Sequence, residues 1–154
     1  MRSLLKAAFL IPSLLFVPVA HADFTFCSED MSRETCLAYS RAVTTADALT
    51  EELEKLNNVV ENNSHVDQFE SDTRQLLREF RLFLRFLRVQ EREKDYDRTN
   101  DLYSSFRDVE EYWTVIYNDL RPYTNRYADL RLHTRKTERL FNKLSKELVE
   151  AVVE

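Results

Sequence analysis

The chain has 154 residues, a formal net charge of −5 and no glycine, where average usage of about 7% would supply roughly ten. Tight hairpin turns, phosphate-cradling loops and nucleophile elbows rely on glycine for positive φ or close backbone approach, so sheet folds and enzymes built on such loops are disfavoured and an all-α fold is predicted. An aromatic content of 12% argues against disorder despite 32% charged residues.

Met1 to Ala22 has the three-part layout of a secretory signal peptide: Arg2 and Lys6, an apolar run from Ala7 to Val19, then Ala20-His21-Ala22 with cleavage expected after Ala22. The run is shorter than the roughly 20 residues of a membrane span and is interrupted by Pro12 and Pro18. Export to a periplasm, or secretion, is the expected destination. Cleavage leaves residues 23–154, a single α-helical domain of 132 residues. Losing Arg2 and Lys6 takes the 22 basic residues to 20 against 27 acidic ones, a net charge of −7. That balance offers no footprint for non-specific nucleic-acid binding.

Cys27 and Cys36 are the only cysteines. In an oxidising compartment they are expected to form one disulfide closing the segment 23–36, which would staple Phe24 and Phe26 onto the start of the first helix. The spacing does not match the CxxC of redox or metal pairs.

Downstream, Ala42, Ala46, Leu49, Leu53, Leu56 and Val60 recur at spacings of four and three, the apolar stripe of a first helix. Asn62-Asn63-Ser64 ends it, with Ser64 as the expected N-cap of the next. The same three residues form an N-glycosylation acceptor in a eukaryotic setting. A second stripe runs through Val66, Phe69, Thr73, Leu76, Phe80, Phe83 and Leu87 and fades into a polar connection. A third, Leu102, Phe106, Val109, Trp113, Ile116 and Leu120, is out of phase with the second, which predicts a break near 97–100. Beyond Pro122 a fourth resumes through Leu130, Thr134, Thr137, Phe141, Leu144, Leu148 and Ala151. Four segments with short connections predict an elongated antiparallel bundle; the alternative is a helical hairpin plus one long helix kinked at Pro122. The stripes could also bury themselves between chains, as a homo-oligomer.

Arg74, Arg78, Arg81, Arg85, Arg88 and Arg92 form one narrow stripe on the second helix, beside its apolar stripe. Asp47, Glu51, Glu54 and Glu61 share a face of the first. A hairpin turning near Ser64 would set Glu54 against Arg74, Glu51 near Arg78 and Asp47 against Arg81. Arg85 and Arg88 would then face Val43 and Ser40, which carry no charge. Their internal partners would have to come from Asp108, Glu110 and Glu111. Otherwise Arg85, Arg88 and Arg92 form a surface for an acidic partner or an anionic polymer or lipid, because the guanidinium fork takes carboxylates and phosphates bidentately.

Tyr112, Tyr123 and Tyr127 are placed off the core stripe and are candidates for a partner-contact surface. The basic stretch Arg131, Arg135, Lys136, Arg139, Lys143 and Lys146 is interleaved with Glu138 and Glu147 and reads as a solvated face. His65 and His133 have carboxylates four residues earlier, Glu61 and Asp129, but the Glu-x-x-His sets of di-iron bundles are missing, as is a haem-attachment motif. No catalytic triad or metal set can be nominated, so no cofactor is expected. The reading is an exported, non-enzymatic helical protein of the cell envelope, an adaptor, chaperone-like binder or inhibitor, holding a protein partner through helix faces. Binding of an anionic envelope polymer or lipid is the alternative, and a hydrolase without recognisable motif the third.

Overall fold

The computed structural model describes residues 32–93 and 98–152. The expected signal peptide, Cys27, and the phenylalanines at 24 and 26 lie outside them. Within them the chain is all-α, with four helices packed into a bundle: α1 Arg33–Glu61, α2 Glu70–Glu93, α3 Thr99–Leu120 and α4 Ala128–Val152. Each helix contacts its neighbours in a ring, α1 with α2, α2 with α3, α3 with α4, and α4 most extensively with α1.

Local chemistry sets the ends. Ser32 caps α1, its side chain accepting from the Thr35 amide at 3.2 Å. Between α1 and α2 the turn is organised by Asn63, not by Ser64 as expected. The Asn63 backbone oxygen accepts from the Val66 and Asp67 amides, both at 2.9 Å, and its side chain accepts from the His65 amide. A 3₁₀ turn, Asp67–Phe69, follows before α2 begins at Glu70. At the other connection Pro122 sits in a 3₁₀ turn, Arg121–Tyr123, after which the chain turns through 124–127 into α4. Proline thus marks a corner between two antiparallel helices, which removes the alternative of one long kinked helix.

All four predicted stripes are buried around one core, apart from Phe69, which is half-buried against it. Its contents are unequal. α1 contributes Ala38, Ala42 and Ala46 at its N-terminal half, whereas α2, α3 and α4 contribute Phe80, Phe83, Phe106, Trp113 and Phe141. These rings meet across the bundle: Phe80–Phe141 at 5.8 Å between centroids, Phe83–Phe106 at 5.5 Å, and Trp113 stacked on Phe141 at 5.5 Å. Aromatic pairs at such separations add about 0.5–1.5 kcal/mol beyond their buried area.

Each helix interface also carries a polar link. Thr73 donates to Asn57 at 2.9 Å between α2 and α1, and the Trp113 indole donates to Glu138 at 2.6 Å between α3 and α4. The buried Glu52 carboxylate meets His133 Nδ1 at 2.5 Å between α1 and α4. The Tyr112 phenol lies beside the Asp72 carboxylate between α3 and α2. His133 is therefore engaged by Glu52 from another helix, not by Asp129 on its own, while His65 stacks on Tyr127 at 5.5 Å.

The size asymmetry of the core gives two opposite expectations. Phe141→Ala should cost about 3–5 kcal/mol through the cavity it leaves, and Ala46→Leu about 1–3 kcal/mol by overpacking the α1–α4 contact. Urea unfolding of the protein measures both. A neutral outcome for Ala46→Leu would mean that α1 and α4 are not in close contact in solution.

Candidate functional site

The arginine stripe of α2 resolves into two rows. Arg74, Arg81 and Arg88, seven apart, turn toward α1 and meet acids that are also seven apart. Arg81 Nη2 lies 2.6 Å from Glu54, Arg88 pairs with Asp47, and Arg74 is 3.9 Å from Glu61 while pairing with Glu70 on its own helix. The residue numbers of the three interhelical pairs share a total of 135, against about 128 expected for a turn at Ser64. The seven-residue difference is two helical turns, and it follows from the longer connection through Asn63 and the 3₁₀ turn. Because the shift equals one heptad, the acidic and basic faces still meet. The partners are different: Arg88 is ion-paired with Asp47, not left facing Ser40, and Glu110 on α3 pairs with Arg107 instead of reaching the stripe.

The second row, Arg78, Arg85 and Arg92, makes no ion pair with these acids, although Arg85 and Arg92 line a groove together with Asp47 and Glu51. Among the described residues Arg78 and Arg85 make no ion pair, and Arg92 approaches only its neighbour Glu93, at 3.7 Å. Between the rows and α1 runs an open groove of about 1400 Å³. Val43 on α1 and Leu84 and Val89 on α2 supply its apolar surface, and Arg85, Arg88 and Arg92 line the α2 side. A smaller hollow of about 490 Å³ on the outer face of α2 is lined by Arg78, Arg85 and Leu82, the last 53% exposed. The three arginines singled out from sequence therefore share one groove. Val43, set against Arg85 in the expected register, lies level with Arg92 in the observed one, and Leu84 and Val89 complete the apolar floor with it.

The three tyrosines do not join this groove. Tyr112 is partly buried between α3 and α2 beside Asp72. Tyr123 packs edge-on against Phe69 at 5.9 Å and accepts a hydrogen bond from Gln68, and Tyr127 stacks on His65, all at the end of the bundle where the two 3₁₀ turns meet. There they hold one connection against the other. Asn62, of the glycosylation acceptor, is exposed at the same end, its side chain donating to the Asn58 carbonyl at 2.7 Å. At the opposite end the Tyr39 hydroxyl and Thr99 Oγ1 are 2.7 Å apart, and the Arg98 guanidinium lies 5.0 Å from the Phe86 ring centroid.

Among the described residues no group of three His, Cys, Asp or Glu could hold a metal ion, and no helix is long and apolar enough to cross a membrane. Comparison with protein-family models, curated proteins and solved structures finds no match to this chain. The groove, with its chemistry, is therefore the feature from which function has to be argued.

Two measurements probe these contacts. The Asp47–Arg88 pair is about half exposed on both sides, so a double-mutant cycle with Asp47→Ala and Arg88→Ala should give a coupling of about 0–1 kcal/mol that shrinks with salt. A coupling several times larger would mean the pair is shielded from water. Burial raises the Tyr39 phenol above its ordinary 10.0, and burial together with the Asp72 carboxylate raises that of Tyr112. The folded state thus keeps these protons longer than the unfolded chain, so this contribution to stability is whole below 10.0 and is lost as pH rises through the folded values. Urea unfolding at about pH 9 and about pH 11 should show a decline that is shallower in the Tyr39→Phe, Tyr112→Phe double variant.

Proposed function

We propose that this chain is an exported, non-enzymatic helical protein of the cell envelope that holds a segment of a protein partner in the α1–α2 groove. The observation that carries the reading is the coincidence, in one open groove, of apolar side chains from two helices with arginines whose charge the bundle itself does not use up. Arg85 and Arg92 offer forked donors to carboxylates. Val43, Leu84 and Val89 offer the area that excludes water around such contacts. The matching ligand is a segment with a few apolar side chains flanked by Asp or Glu. Export rests on the signal-like layout of Met1 to Ala22 and on a Cys27–Cys36 disulfide, both expectations from sequence.

The outward row Arg78 and Arg85, with no acid paired to it among the described residues, favours one second reading, an anionic polymer or lipid headgroup lying along α2. Salt separates the two, because a contact made of guanidinium and phosphate or polyanion alone weakens steeply with ionic strength.

The test is crosslinking of the exported protein in its native envelope, with Arg85→Glu as the comparison. The expected result is one protein partner, recovered at high salt from the wild type and lost from the variant, with thermal unfolding unchanged because Arg85 has no internal ion pair. Recovery that disappears with salt for both would favour the polyanion, and equal recovery from both would place the contact elsewhere.

A further inference from the structure

The α1–α2 face is acidic along one helix and basic along the other. Asp47, Glu51 and Glu54 run down α1, with the arginine rows of α2 beside them. Within the chain Asp47 and Glu54 are taken by Arg88 and Arg81. Glu51, Arg78 and Arg85 are exposed, and among the described residues they make no ion pair. The register of the two interhelical pairs sets Glu51 level with Leu84 and Arg85 level with Thr50, so the free acid and the free base stand within one residue of the same level. They do not meet, for a reason of phase. At about 100° per residue, Glu51 is turned roughly 40–60° beyond Asp47 and Glu54, away from α2, and Arg85 is turned by the same amount beyond Arg81 and Arg88, away from α1. Both side chains therefore leave the seam and point out of the face.

We infer that the protein pairs through this face, α1 of one copy lying on α2 of the other about a two-fold axis parallel to the helices. The inference rests on the proposed reading of the groove as a protein-binding surface and names its occupant, a second copy of this chain. An isologous contact needs a patch that complements itself, and a face acidic on one half and basic on the other does so when the halves are exchanged. A two-fold rotation has no translation along its axis, so residues keep their levels. The partner's Glu51 then comes onto Arg85, and the same contact is made a second time in reverse. Arg78, level with Asn57, comes within one helical turn of the partner's Glu54. The other two-fold arrangement, with the axis across the helices, lays α2 on α2 and sets arginine against arginine, which disfavours it.

Beneath these pairs Val43, Leu84 and Val89 of both copies close on one another, and the arginines lay their aliphatic stems over them. The 24 residues of α2 span about 36 Å, and two helices side by side are about 20 Å across. The face is thus roughly 700 Å² per copy and about 1,400 Å² in all, inside the range of about 1,200–2,000 Å² for specific stable interfaces. Pairing closes the groove on both copies at once, so a segment of another protein enters only as the copies part.

Sedimentation equilibrium tests this on the wild type, Arg85→Glu, Glu51→Arg and an equimolar mixture of the two variants, with far-UV circular dichroism confirming that each is folded. The wild type should dimerise. Each variant alone should dimerise at least about tenfold more weakly, because it exchanges two attractions per dimer for two repulsions. The mixture should recover the wild-type affinity, since Glu51 of one variant meets Arg85 of the other and the two substituted side chains meet each other. A wild type that stays monomeric to millimolar concentration, variants that dimerise as well as the wild type, or a mixture no stronger than its components would overturn the inference. Its failure is distinct from that of the groove reading. If the wild type is monomeric while envelope crosslinking recovers a different protein through Arg85, the groove reading stands and the dimer falls. If the mixture restores the dimer while a different protein is recovered equally with Arg85→Glu, the face joins copies and that partner binds elsewhere.

Discussion

Ala38, Ala42 and Ala46 let α1 lie against α4 more intimately than any other pair of helices in the bundle, and this contact sets the volume left for everything else. Large rings from α2, α3 and α4 fill the middle together with Leu49, Leu53 and Leu56 of α1. Phe80, Phe106 and Phe141 meet there around a common centre at the density of a protein interior. The position of α2 against α1 follows in turn, since Phe80 and Phe83 fix which face of α2 points inward. The arginine stripe beside that face is thereby aimed at the acids of α1.

Apolar packing of this kind tolerates sliding, because leucine and phenylalanine stripes repeat every seven residues. The polar links do not. Asn57–Thr73, Glu52–His133 and Trp113–Glu138 each join one neighbouring pair of helices, and a displacement by one turn would leave buried donors or acceptors unmatched. Leaving such a group unpaired costs about 1–3 kcal/mol, more than an exposed ion pair returns. Register is thus set inside the bundle, and the surface pairs Glu54–Arg81 and Asp47–Arg88 accompany it.

The groove is a by-product of the same geometry that acquires chemistry of its own. Six arginines at spacings of four and three cannot all face one neighbouring helix. Alternate ones are taken by α1, and the others are left to solvent along a trough with an apolar floor. A wholly structural stripe would have matched acids for both rows. Here Arg78 and Arg85 of the outer row have no ion pair among the described residues.

Helicity, the number of segments, the inward faces and an interruption at Pro122 were legible from the sequence alone, whereas the choice of a corner over a kink there was made by the tertiary structure. Each depends on short-range facts: no glycine, a period of three and four, and a proline without a backbone donor. So was the grouping of Arg85, Arg88 and Arg92, because residues on one helix keep their relative phase whatever surrounds them. Which acid each arginine meets was not legible. A heptad pattern is unchanged by a shift of seven, so only the extra residues of the Asn63 turn and the buried polar pairs could choose between equivalent registers. The partners of His65 and His133 and the separation of the tyrosines from the arginines follow from that choice. They are contacts between helices, and the sequence of one helix carries no record of how far its neighbour has slid.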